Sequence, residues 1–154
     1  MRRSKQLYKC TEIVRRKEGI KVVKSFIEKI YILNYGSLLA TLELNDNKVQ
    51  VVTNFDADML GKSMNLLARL MLAYQDRNSF QFSSYAGMFG KEYVIIIKFT
   101  KKRFSPAAVG IARRLIKLID DEGLLEIQII IERIVKFLIG EKLIEESTPV
   151  VFDS

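Results

Sequence analysis

"GSLLATLELNDNKVQVVTN" occupies residues 36–54, and its reading decides the fold. Leu38, Ala40, Leu42 and Leu44 alternate with Leu39, Thr41 and Glu43. After the polar knot Asn45-Asp46-Asn47, Val49, Val51 and Thr53 alternate with Gln50 and Val52. A period of two on both sides of a turn is the pattern of two antiparallel strands, each with one face on a core. A helix would need apolar spacings of three and four.

That helical spacing follows immediately. Leu60, Met64, Leu67, Met71 and Tyr74 predict a central helix over residues 57–75, with Asp56 or Asp58 placed to accept from its free N–H groups. Gly61, Ser63 and Ala68 leave part of its surface thin, open to close approach by the sheet or a second copy of the chain. Upstream, Val22, Val23, Phe26, Ile27 and Ile30 predict a short first helix over residues 21–31. Downstream, residues 79–86 read as one strand and Gly87-Met88-Phe89-Gly90 as a turn. "YVIIIKFT", residues 93–100, reads as an inner strand covered on both faces.

Ser105-Pro106 opens the next helix, with the hydroxyl as cap. Its Ala108, Ala112, Leu115 and Ile119 face the core, Arg113, Arg114 and Lys117 face water, and Gly123 stops it. Residues 124–132 alternate as a strand would, yet at helical pitch residues 126, 128, 132, 133 and 136 gather on one side, which favours a helix with a broad apolar face. The fold class is therefore α+β: an antiparallel sheet of four to five strands packed against helices, with an extra C-terminal helix. The chain divides into a basic arm (1–20), a core domain (21–120), an apolar helix (121–146) and a tail (147–154). At 154 residues it needs no second domain.

Charge is uneven. Residues 1–24 hold nine Lys and Arg against Glu12 and Glu18, and the rest of the chain is balanced. Such an arm suits a nucleic acid, an acidic protein or an anionic membrane surface, and serves equally as a solvated face. Arg2, Arg3, Lys5, Arg15, Arg16 and Lys17, together with Lys101, Lys102 and Arg103 ahead of a helix start, are the candidate nucleic-acid contacts. Phe80, Phe82, Tyr85, Tyr93 and Phe99 beside Lys91 and Lys98 suit either a stacking platform for single strands or an ordinary core.

Catalytic signals are absent. There is no histidine, so imidazole bases and His-ligated metals are excluded. Asp120-Asp121-Glu122 sits at a helix junction, where capping explains it. "LGKS" at residues 60–63 has the ending of a phosphate-binding loop, but Asp56 stands where the loop needs its first glycine. The one cysteine, Cys10, forms no internal disulfide and lacks the context of a nucleophile. No cofactor or metal is expected. A reduced thiol, no signal-like start and no uninterrupted span of ~20 apolar residues suggest a cytoplasmic chain without a membrane span.

The order of elements resembles the Roadblock family of dynein light chains and GTPase regulators: the hairpin at 36–54, the central helix at 57–75 and "SPAAVGIARRLIKLI" with Gly110, within roughly residues 21–120. The resemblance implies a Roadblock/profilin-like sheet of five strands between helices, a homodimer along the central helix or a sheet edge, and a regulatory platform for another protein such as a small GTPase. It implies three strands after the central helix, where the pattern yields two. Independently, the apolar face of residues 124–139 needs a cover, since several Ile and Leu in water would cost several kcal/mol at ~25 cal/mol per Å2. Ile127, Ile130, Ile131, Ile134, Phe137 and Leu138 are thus candidate partner-binding residues if that cover is another chain. Two readings stand: a dimeric, non-enzymatic assembly or regulatory module, and a nucleic-acid-binding protein.

Overall fold

A computed structural model describes residues 11–15, 21–35, 37–45, 47–73 and 78–153, with backbone alone for 11–15, 21–24 and 73. Strands β1 (Thr11–Arg15) and β2 (Lys21–Ser25) form a two-stranded antiparallel ribbon. Then follow β3 (Ile27–Asn34), β4 (Ser37–Leu44), β5 (Val49–Val52), helix α1 (Ala57–Ala73), β6 (Ser79–Phe82), β7 (Tyr85–Phe89) and β8 (Tyr93–Phe99). A 3-10 turn (Lys102–Phe104) leads to α2 (Ser105–Glu122), α3 (Ile127–Gly140) and β9 (Val150–Asp153). The main sheet has seven strands in the order β6-β7-β8-β3-β4-β5-β9, antiparallel except where β9 runs parallel to β5.

The chain is α+β as expected, and the sheet is larger than four to five strands. Two places account for the difference. The expected strand at 79–86 is a hairpin, β6 and β7, turning at Ser83-Ser84 with Ser83 at φ 54°. Gly87-Met88-Phe89 lies within β7 instead of turning the chain. Gly87 is needed there because a Cβ would strike the Phe80 ring and come within 2.5 Å of the Ile95 carbonyl oxygen. The second addition is β9, from the expected tail, held by the ladder to β5 and by Val49 N–H donating to the Pro149 carbonyl at 2.9 Å.

The expected first helix over 21–31 is strand, not helix. β3 is the centre of the sheet, between β4 and β8, and is buried on both faces. The residues that mimic one helical stripe come from two strands, Val22 and Val23 from β2 and Ile27 and Ile30 from β3, and in β3 apolar residues on both faces blur the period of two. A register shift between Ile27 and Lys29 against β8 helps, since it buries Phe26 and Ile27 in succession.

The two sheet faces carry two cores. On one, Ile30, Ile32, Ala40, Leu42, Val49, Val51, Ile95, Ile97 and Phe99 meet Ala108, Ala112, Leu115 and Ile119 of α2 and Ile130, Ile131, Ile134 and Leu138 of α3. On the other, Leu33, Leu38, Phe80, Val94 and Ile96 meet Leu67 and Leu70 of α1. Among the described residues the layers form a three-layer sandwich, with α1 the one helix on its side of the sheet.

Local signals explain the helix ends. Asp56 Oδ1 accepts from Met59 N–H at 2.8 Å, and Asp58 pairs with Lys62 at 3.1 Å. The seated stripe of α1 turns through Leu70, leaving Met71 38% exposed, so the expected spacing is displaced by one residue at that end. Ser105 does not cap α2: its hydroxyl donates to Gln81 Oε1, and Phe104 is the N-cap. Gly123 ends α2 in the left-handed region at φ 61°, where its N–H bonds back to Ile119 and Asp120 carbonyls. Residues 127–140 are helix, as favoured over strand.

Candidate functional site

The face of α3 singled out as a possible docking surface is covered inside the chain. Ile130, Ile131, Ile134 and Leu138 are fully buried in the core they share with α2 and the sheet, and Ile127 and Phe137 pack on its margin. On its outer side α3 carries Gln128, Glu132, Arg133 and Lys136 together with the exposed Ile129 and the half-buried Val135 and Ile139.

Most of the candidate stacking platform is also core. Phe80, Tyr93 and Phe99 are buried. Tyr85 is half-buried, its ring centroid 6.4 Å from that of Tyr31, and only Phe82 is exposed. Of the two lysines expected beside the platform, Lys98 pairs with Glu28 at 3.3 Å and Lys91 is exposed; Lys29, on the neighbouring strand, pairs with Glu43 at 3.4 Å. Burial, and then the neighbouring Tyr85 hydroxyl, push the Tyr31 phenol up to about 12. It stays a neutral hydrogen-bonding group, not a base, at ordinary pH.

An open furrow of about 530 Å3 runs between α2 and the β7–β8 turn, with Asn78, Lys91, Arg113, Lys117, Asp120 and Asp121 on its walls. The Lys91 backbone N–H donates to Asp120 at 3.3 Å, and the Tyr35 hydroxyl donates to the Gly90 carbonyl at 2.7 Å. Tyr35 is raised above the usual phenol range by burial and by Asp120. Asp120 and Glu122 thus act differently from caps: Asp120 ties α2 to the turn, and Glu122 pairs with Arg133 of α3. The α3 N-cap, Glu126, makes no side-chain cap bond. The furrow mixes both signs of charge and brings no nucleophile to a base. Among the described residues no three His, Cys, Asp or Glu come together to hold a metal, and no carboxylate, lysine or arginine is buried.

Two surfaces remain. The first is the outer side of α1. Gly61, Asn65, Ala68 and Leu72 follow one another at spacings of four, three and four, so they share one line along the helix, and all are exposed. A Cβ at Gly61 would meet nothing within 4 Å, and Leu72 is 77% exposed. The thin side expected from Gly61 and Ala68 therefore faces away from the sheet.

The second is a basic end of the sheet. Thr100 N–H donates to the Phe26 carbonyl at 2.9 Å, and the Phe26 and Phe104 rings lie 4.9 Å apart. These contacts place Lys101, Lys102 and Arg103 at the root of the β1–β2 ribbon. Across the ribbon Arg15 is opposite Lys21, and Glu12 is opposite Lys24. Arg2, Arg3, Lys5, Arg16, Lys17 and Cys10 lie outside the described residues. Sequence reasoning named both basic segments separately. It missed their meeting, because only the long-range β3–β8 pairing brings them together.

No helix among the described residues is long and apolar enough to cross a membrane. Comparison with protein-family models, with curated proteins and with solved structures found no match.

Proposed function

We propose that the protein is a non-enzymatic binding module of the Roadblock type, working as a homodimer that serves as an assembly or regulatory platform for another protein, such as a small GTPase. The observation that carries this reading is the outer side of α1. The solvent side of α1 carries the charged Asp58, Lys62 and Arg69, and along one flank of it runs the uncharged line Gly61, Asn65, Ala68, Leu72, with Met71 next to Leu72 in sequence. Small residues let two helix axes approach toward the lower end of the ~8–10 Å range, and the exposed Leu72 gains from being covered.

The five antiparallel strands β3, β4, β6, β7 and β8, with α1 on one face and α2 on the other, also support the reading. They include three strands after the central helix, the number that the resemblance implies. The hairpin at residues 36–54 that carries the resemblance is β4–β5, so on this five-strand set β3 stands where the pattern has a first helix, and β5, β9, α3 and the β1–β2 ribbon lie outside the set.

The test is substitution on the outer line. Ala68→Glu and Leu72→Glu each place a carboxylate where the second helix would lie, and neither residue is in the core. Both variants are expected to sediment as monomers with unchanged far-ultraviolet circular dichroism, while the parent chain sediments as a dimer. Dimers that persist in both variants would remove α1 as the interface.

A further inference from the structure

We infer that the outer side of α3 is a contact between two copies of the chain, with the two helices antiparallel across a two-fold axis. The inner side of α3 is taken up by its own core, through Ile130, Ile131, Ile134 and Leu138. At 3.6 residues per turn, the side opposite them carries Ile129, Glu132, Lys136 and Ile139. These four, with Arg133 and Val135, line an open groove of about 380 Å3. Ile129 is 41% exposed toward one end of the helix, and Ile139 is half-buried toward the other. Arg133 is already paired with Glu122 of α2. Glu132 and Lys136 are exposed, and no ion pair joins either of them to a described residue.

The occupant is a second copy because the pattern is complementary to itself when reversed. A two-fold axis level with Ile134 sets Ile129 beside the partner's Ile139 and Glu132 beside the partner's Lys136, and each pairing occurs twice. Opposite charges then meet at the centre and isoleucines cover one another at both ends, with the helix axes about 8–10 Å apart. Other arrangements are penalised. Parallel helices in register set Glu132 against the partner's Glu132, and an antiparallel slide of one turn sets either Glu132 or Lys136 against its own counterpart. An uncharged apolar ligand would cover Glu132 and Lys136 without pairing them. Each copy offers roughly 21 Å of helix, which falls short of the ~1,200 Å2 of a standard interface, so the contact belongs near the millimolar end of affinities. Since α3 and α1 lie on opposite faces of the sheet, the contact is independent of the α1 reading; where both form, each copy has two neighbours and pairs join into larger assemblies.

The test is sedimentation equilibrium of the full chain, with and without Leu72→Glu, from about 10 μM to about 1 mM. With Leu72→Glu blocking α1, the chain should pass from monomer to dimer across that range, and without it the chain should pass beyond a dimer. In the Leu72→Glu background, Glu132→Lys alone and Lys136→Glu alone should each weaken self-association at least tenfold, because each sets like charges together twice. An equimolar mixture of these two should recover association, since every pairing across the axis is then of opposite sign, and the double reversal in one chain should recover it too. Circular dichroism and melting temperature should stay unchanged, as both residues are exposed. Association indifferent to the single reversals, a mixture that stays monomeric, or a Leu72→Glu chain that is monomeric throughout would overturn the inference. That last result beside a parent dimer leaves the α1 reading intact, whereas a dimer that survives Leu72→Glu and yields to the reversals removes α1 and upholds α3.

Discussion

Replacing Ile134 by alanine separates a helix that belongs to the core from one that waits for a partner. Ile134 has 0% of its surface exposed, within the cluster that joins α2, α3 and the inward residues of the sheet. Alanine deletes three carbons, worth about 0.8 kcal/mol each in transfer from water. The unfilled cavity adds to this, giving roughly 3–4 kcal/mol, inside the ~2–5 kcal/mol span of such truncations. For a domain of this size each kcal/mol lowers the melting temperature by ~2–4 °C, so a fall of roughly 6–16 °C is expected. The control is Ile129→Ala on the outer side of the same helix, where the side chain is 41% exposed, with an expected cost under about 1 kcal/mol. Urea unfolding followed by circular dichroism, at one protein concentration for all variants, reads both. A loss below about 1 kcal/mol at Ile134, or a greater loss at Ile129 than at Ile134, would refute the placement of α3 against the sheet.

Gly87→Ala sets a Cβ against the Phe80 ring and the Ile95 carbonyl, so it should cost at least about 2 kcal/mol in the same unfolding assay; a neutral result would mean that β7 lies elsewhere. Asp56→Ala removes the acceptor for Met59 N–H at the start of α1 and should lower stability by about 1 kcal/mol, with Asp56→Asn recovering most of it. For Tyr31, the folded-state value of about 12 lies above the ordinary 10, so the folded protein holds the proton more tightly than the unfolded chain. Its contribution is full below pH 10 and is lost as pH rises through 12. Parent and Tyr31→Phe unfolding curves should therefore converge over that window, and a difference that stays constant from pH 9 to 12 would contradict the burial of the phenol.

How much was legible in the chain depended on whether each element carried its own signal. The β4–β5 hairpin, α1 and α2 each join a periodic apolar pattern to a local boundary: the Asn-rich turn, Asp56, and Pro106 with Gly123. β3 lost its signal because both faces are covered. The β6–β7 turn was hidden because Ser83 takes a left-handed conformation usually marked by glycine, while the true glycine, Gly87, serves a close ring approach within a strand. β9 is four residues long and paired to a strand about a hundred positions earlier, so no local pattern announces it. The apolar side of α3 was read correctly as needing a cover, and the cover proved to be the chain's own sheet. The outer line of α1 was half visible: Gly61 and Ala68 stood out, but which way they face depends on the sheet that Leu67 and Leu70 choose.

The exposed line Gly61, Asn65, Ala68, Leu72 is the proposed seat of a second copy. Sedimentation equilibrium of the parent chain over a hundredfold range of concentration tests it most directly. A dimer seated there gives a species of twice the 17.8 kDa chain mass that dissociates on dilution or on Leu72→Glu. A single 17.8 kDa species at every concentration would contradict it.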